Sequence, residues 1–280
     1  MEVFRELKSL RAFLRKKKLA HQAIGFVPTM GALHAGHLAL IHAAKAKNLL
    51  TVCSVFVNPT QFNNKADLEK YPRTETKDIE LLNNAGCDVL FIPSVNEMYA
   101  QESLTFFSFK GLDDVMEGAH RPRHFSGVAL VVAKLFNLVE PDHAFFGQKD
   151  WQQFTIIKRL VSDLNFNLTL HAIPTLREED GLAMSSRNTR LNENQRVKAL
   201  VFYQTLKLAE AELLNGKNMN EIVPKLTTMA QEDNEIKIDY LVLANRYTLQ
   251  SVSTLTQHNT LVLCIAGYVG DVRLIDNILL

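Results

Sequence analysis

From its start to about Pro174 the chain alternates short runs rich in β-branched and aromatic residues with longer amphipathic stretches, and this restricts the architectures open to it. The short runs are Ile24 to Val27, Thr51 to Val57, Asp88 to Ile92, His143 to Phe146 and Leu168 to Ile173. Between them lie helix-length stretches, Gly36 to Asn48, Thr74 to Asn84, Gly127 to Val139 and Asp150 to Leu164. Strands joined by crossovers of that length pair in parallel, because an antiparallel hairpin needs only a few connecting residues. The expected fold class is α/β, a Rossmann-like parallel sheet flanked by helices. Ligands of open α/β sheets bind beyond the carboxyl ends of the strands. Several of those ends run into polar or glycine-containing turns, Pro28 to Gly36, Asn58 to Asn63 and Gly147 to Asp150.

Beyond Pro174 the texture changes. A long helix is expected from Glu193 to Leu214, opened by Asn192 as N-cap with Gln195 three residues later and stopped near Gly216. A shorter helix follows around Met219 to Gln231. The tail alternates as strands do, with Ile236, Ile238, Tyr240 and Val242 on one face, then runs Thr260 to Ala266 and Tyr268 to Leu274 around Gly267. This reads as a smaller C-terminal α+β domain after a linker near Ile173 to Arg177. The expected division is 1–175 for the Rossmann-like domain and 176–280 for the α+β domain.

With Lys+Arg 31 against Asp+Glu 30, the formal charge of +1 asks for no nucleic-acid or membrane partner, so an anionic ligand must be held by a local site. Cys53, Cys87 and Cys264 are an odd, scattered set without a C-x-x-C pair. They are expected as buried thiols in a reducing cytoplasm. The basic N-terminus lacks the apolar core of a signal peptide, and no apolar stretch reaches membrane-spanning length.

The chemistry-bearing residues cluster in the turns. Met30 to His37 read M-G-A-L-H-A-G-H, which places His34 and His37 at a helix opening, where the helix dipole favours anions and histidines three apart share one face. F-G-Q-K-D, Phe146 to Asp150, offers Gly147 for close backbone approach and Lys149 as a point charge. M-S-S-R, Met184 to Arg187, combines two hydroxyls with a forked guanidinium. V-N-P-T-Q-F supplies the amides of Asn58 and Gln61, and Y-P-R-T leads from Tyr71 to Glu75 and Asp78, whose carboxylates suit magnesium beside phosphates. Arg121 and Arg123 in H-R-P-R-H-F-S-G-V can face an anion. Taken singly, each motif also reads as an ordinary turn, a solvated charge or a helix-start acid.

Taken together, P-T-M-G-A-L-H-A-G-H, V-N-P-T-Q-F, Y-P-R-T, F-S-G-V with K-L-F-N, F-G-Q-K-D, D-G-L-A-M-S-S-R-N and L-N-E-N-Q-R occur in one order over most of Phe26 to Arg196. On these words the chain resembles the pantothenate synthetase (pantoate:β-alanine ligase) family of the H-x-G-H nucleotidyltransferases. The resemblance implies ATP-dependent condensation of pantoate with β-alanine through a pantoyl adenylate, in a cytoplasmic homodimer, with Mg²⁺ accompanying ATP. It implies an ATP site lined by Met30, Gly31, Ala32, Leu33, His34, Ala35, Gly36, His37, Gly147, Gln148, Lys149, Asp150, Leu176, Met184, Ser185, Ser186 and Arg187. Of these His34, His37, Lys149, Ser185, Ser186 and Arg187 would stabilise developing charge. Gln61 and Gln153, with Asn58 and Tyr71, would bind substrate, and Asp78 would lie near magnesium. Two positions depart from the family pattern, Gln148 where glutamate is usual and Lys77 where a second acid is frequent. A different H-x-G-H adenylyltransferase acting on a phosphorylated acceptor, a tRNA synthetase relative and a non-catalytic nucleotide-binding module are the rival readings.

Overall fold

The computed structural model describes residues 1–255 and 260–280. They form two compact units, one made of Met1–Phe109, Arg121–Gln148 and Ile156–Pro174, the other of Lys110–His120, Lys149–Thr155 and Thr175–Leu280. A linear division at residue 175 does not anticipate that two short segments from the first part of the chain count with the second unit.

The first unit holds a six-stranded sheet of β1 (Glu2–Phe4), β2 (Ile24–Thr29), β3 (Leu50–Val55), β4 (Val89–Phe91), β5 (His143–Gly147) and β6 (Thr169–Ile173), in the order β1-β4-β3-β2-β5-β6. Every pairing is parallel. The strands read as continuous apolar runs because both faces are covered. Val27, Cys53, Leu90 and Phe145 pack with Leu40, Ile41 and Ala44 of the helix Ala35–Lys45 and with Leu82 of the helix Glu75–Asn84. On the other face Phe26 meets Phe136 of the helix His124–Val139 edge-on, with ring centroids 6.3 Å apart. All five expected strands are present to within two residues at each end. The sequence reading missed β1 and the amphipathic helix Leu7–Leu19 behind it. A three-residue edge strand carries too little pattern to stand out.

The sheet order fixes where a ligand can sit. β2 has β3 on one side and β5 on the other, and the chain winds outward from it in both directions. The switch point is therefore at the carboxyl ends of β2 and β5, where Met30 to His37 and Gly147 emerge.

In the second unit β7 (Ile236–Asn245), β8 (Leu261–Val269) and β9 (Val272–Leu279) form an antiparallel sheet. Its core includes Phe202, Leu206, Ala209 and Leu213 of the helix Leu200–Leu214 and Ile222 and Leu226 of the helix Met219–Ala230. Three expectations are corrected here. The long helix is interrupted at Ala199, giving Glu193–Lys198 and Leu200–Leu214, although the Asn192–Gln195 capping box forms as expected. The alternation in β7 does not hold, because Ile238 pairs with Gly267 and Tyr240 with Ala266, leaving Asp239 as an extra residue. Such a bulge exchanges the faces beyond it. Ile238, Leu241 and Leu243 pack with the core, while the Tyr240 hydroxyl donates to Glu117 (3.0 Å). Lastly, β8 runs through Gly267, and the hairpin turns three residues later at Gly270 and Asp271.

All three cysteines are buried as free thiols. Burial pushes Cys87 and Cys264 up to about 12, so neither supplies a thiolate nucleophile at neutral pH. Among the described residues no helix is long and apolar enough to cross a membrane.

Candidate active site

In the first unit the turn after β2 is fastened at every residue. Thr29 Oγ1 donates to the Ser54 carbonyl (2.7 Å) and accepts the Gly31 N–H (3.2 Å). Gly31 then takes a left-handed φ of +79°, and a Cβ there would lie 2.9 Å from Val55 Cγ1, so only glycine fits. Ala32 follows at φ +50°. The N–H groups of Ala32 (3.0 Å) and Leu33 (2.8 Å) both donate to the Asp78 carboxylate, which also accepts from Thr74 Oγ1 (3.1 Å). The Leu33 side chain packs in the core, so its share in any ligand contact is limited to backbone.

His34 is extended and caps the helix Ala35–Lys45. Its Nδ1 accepts the Gly36 N–H (3.2 Å), and His37 Nδ1 accepts the His34 N–H (3.3 Å), with ring centroids 4.0 Å apart. An Nδ1 that accepts puts the ring proton on Nε2 in each neutral imidazole. The helix start therefore spends two of its own amides on the histidines.

Asp78 is 1% exposed, and both of its oxygens serve the turn. Among the described residues no group of three or more His, Cys, Asp or Glu is placed to hold a metal. A magnesium ligand needs an accessible oxygen, so Asp78 does not fit the metal role expected of it. Its observed work is to hold the H-x-G-H turn.

Asn58 is also 1% exposed. Its Nδ2 donates to Gln61 Oε1 (3.1 Å) and the Gly127 carbonyl (3.1 Å), while its Oδ1 accepts from Tyr99 (2.9 Å) and Thr60 (3.1 Å). Asn58 thereby orients Gln61 and has little capacity left for substrate. Gln61 Nε2 in turn lies 2.9 Å from Met30 Sδ, which ties the amide to the H-x-G-H loop. The 3-10 turn Pro59–Gln61 sits directly on the start of the helix His124–Val139, where a Cβ on Gly127 would come within 2.3 Å of the Thr60 carbonyl oxygen. His124 Nδ1 donates to the Gln61 carbonyl (2.8 Å). Tyr71 is buried edge-on against Phe62 at 5.7 Å, a packing position. Gly147 ends β5 with open space on its Cα.

In the second unit Lys149 has a mostly buried side chain whose Nζ lies 3.9 Å from Asp150 Oδ1. Gln148, Lys149 and Asp150 form a 3-10 turn ahead of the helix Trp151–Asp163. The adjacent glutamines divide their work. Gln152 is buried and bonded to the backbone of Leu112, Val115 and Glu117, whereas Gln153 is half-buried. Leu176 and Met184 are brought together by a narrow hairpin in which the Leu176 carbonyl accepts the Met184 N–H (3.0 Å) and Arg177 bridges Ala183. From its end Ser185 caps the 3-10 helix Ser186–Arg190 by accepting the Arg187 N–H (3.3 Å).

Residues the sequence reading missed hold this arrangement. Arg177 forks onto Asp276 (2.6 and 2.9 Å), donates to Gly181 and Asn277 carbonyls, and stacks 4.0 Å from the Tyr203 ring centroid. Asp276 and Asn277 lie inside β9, beyond the expected strand end at Leu274. Asp-Asn is turn chemistry in sequence terms, and its place in a strand is the one signal that marked it.

The family model described as pantoate-beta-alanine ligase matches residues 2–279. The pantothenate synthetase of Cytophaga hutchinsonii is 44% identical over 98% of this chain and 97% of its own. Among solved structures, the pantothenate synthetase of Thermus thermophilus superposes with a TM-score of 0.92 at 41% identity, covering 99% of both chains. The pantoate-beta-alanine ligase of Francisella tularensis, complexed with β-γ ATP and β-alanine, gives 0.85 at 35% identity over 100% of this chain and 97% of that one.

Proposed function

Since the chain belongs to the pantoate–β-alanine ligase family, we infer that it joins pantoate to β-alanine at the expense of ATP, releasing AMP and diphosphate. The geometry that carries this reading is the reciprocal His34–His37 cap at the end of β2, with Gln61 bonded to Met30 of the same loop. The full-length family match leaves nothing in favour of a phosphorylated acceptor.

In the first step a pantoate carboxylate oxygen attacks the α-phosphorus of ATP. A carboxylate–phosphorus bond forms, the bond to the bridging oxygen breaks, and diphosphate leaves with the electron pair. Charge grows on the phosphoryl oxygens, so fixed donors lower the barrier. The Nε2–H groups of His34 and His37 are such donors, and Lys149, Ser185, Ser186 and Arg187 add cationic and hydroxyl groups. Gln61 has one Nε2 hydrogen directed at Met30 sulfur, a weak acceptor, and its amide is positioned to donate to pantoate oxygens. In the second step the neutral β-alanine amine attacks the acyl carbon of the mixed anhydride and AMP departs, with no protein nucleophile. Mg²⁺ entering with ATP would neutralise part of the phosphate charge. Pantoate-dependent ATP–diphosphate exchange without β-alanine tests the reading. Exchange is expected with pantoate and absent with nucleotide or pantetheine acceptors; the reverse pattern would overturn it.

The homodimer expected for the family has a candidate seam in this chain. Leu104 is 93% exposed and Phe106 79% exposed, on an extended segment that belongs to neither sheet. Apolar side chains so displayed invite burial against a second copy. The wild-type protein is expected to sediment at twice the 31.6 kDa chain mass, and Phe106→Asp as a single chain. Equal masses for the two would remove this seam from consideration.

A further inference from the structure

Lys149 and the hairpin that leads into the M-S-S-R segment lie far apart in sequence, yet in the second unit both are tied to β9, Lys149 by Asn277 and the hairpin through Arg177 to Asp276 and Asn277. Asn277 Nδ2 donates to the Lys149 carbonyl (2.6 Å), and the Asn277 carbonyl accepts from Arg177 Nη2 (3.2 Å). Arg177 is bound bidentately by the buried Asp276 and closes the hairpin that ends at Met184 by donating to the Gly181 carbonyl (3.0 Å). Asp276 Oδ1 also accepts the Asn277 N–H (2.7 Å), so the two side chains are set by one another.

We propose that Asp276 and Asn277, acting through Arg177, are positioning residues for ATP, holding the Lys149 main chain and the Ser185–Arg187 segment in one register. A buried polar network with several bonds per residue rigidifies its surroundings. The fork also neutralises the Arg177 charge internally, so Arg177 serves this frame and is not itself a cation for the triphosphate. Asn277 grips Lys149 by its main-chain carbonyl, which leaves the lysine ammonium to its ligand.

The inference rests on the ATP role of Lys149 in the ligase reading, and the test separates the two. Equilibrium binding of Mg·ATP is measured for the wild-type protein, Asn277→Asp, Lys149→Ala and the double variant, beside the pantoate-dependent exchange rate of each. Asn277→Asp keeps the shape but sets a carboxylate oxygen against the Lys149 carbonyl. It is expected to weaken ATP at least tenfold while leaving the KM for β-alanine unchanged. In the Lys149→Ala background the same change is expected to cost little more, because residues acting through one group are not additive. Asn277→Ser, whose hydroxyl is too short to reach Lys149, serves as the milder variant and is expected to behave alike. Wild-type ATP affinity in both Asn277 variants, or fully additive losses, would overturn the proposal. Tight ATP binding by the wild-type protein without pantoate-dependent exchange would instead overturn the ligase reading and leave the positioning role standing.

Discussion

His37→Ala is expected to abolish pantoate-dependent ATP–diphosphate exchange while the protein stays folded. The substitution removes the acceptor of the His34 N–H and the imidazole that packs 4.0 Å from the His34 ring. Loss of one preorganised donor at a developing oxyanion costs about 2.7–4 kcal/mol of barrier, roughly a hundred- to thousandfold in rate. Here the second donor is disturbed as well, so the loss lies at or beyond the upper end. The structural cost is smaller. Removing a cap costs roughly 0.5–2 kcal/mol, a shift of a few degrees in melting temperature for a chain of this size. Exchange rates and thermal melts on the same preparation distinguish the two effects. A mutant that exchanges at the wild-type rate would remove His37 from the mechanism.

Asp78→Ala is expected to lose both stability and activity, without changing how the residual activity depends on magnesium. The carboxylate accepts the Ala32 and Leu33 N–H groups in a buried setting. Leaving a buried donor unsatisfied costs about 1–3 kcal/mol each. Two of them would take a large share of the roughly 5–15 kcal/mol that stabilises a folded domain. The turn that carries His34 would loosen, so exchange should fall along with the melting temperature. The decisive measurement is a magnesium titration of the exchange rate. If excess Mg²⁺ restored full activity in a variant with an unaltered melt, Asp78 would be a metal ligand after all.

Much of the first unit was legible because its physics is local and repetitive. A parallel sheet covered on both faces needs continuous apolar strands, and Ile24 to Val27 or His143 to Phe146 fit that need closely. The H-x-G-H turn was legible for a similar reason: histidines three apart at a strand end leave few placements. The second unit was harder to read. An extra residue at Asp239 reverses which side chains of β7 face the core, and no periodicity announces a bulge. The break at Ala199 has no helix-breaking residue to mark it.

The candidate site divides along the same line. The residues proposed to handle phosphate and carboxylate, His34, His37, Gln61, Lys149 and Ser185 to Arg187, were visible in the sequence because their chemistry is carried by the side chain itself. Their supports were not. Asn58 and Asp78 appeared as ligand-binding candidates, yet burial and saturated hydrogen bonds make them the fixtures of Gln61 and of the H-x-G-H turn. Arg177, Asp276 and Asn277 gave almost no sign of themselves, since a fork between residues 99 positions apart exists only once the chain has folded. Apolar pattern and side-chain chemistry are properties of residues, so the sheet, the family and the chemically active groups could be read before any fold was known. Which polar groups are open to a ligand, and which are spent holding others, was settled only in the folded chain. That depends on burial and on partners distant in the chain, and neither is written in any local stretch of residues.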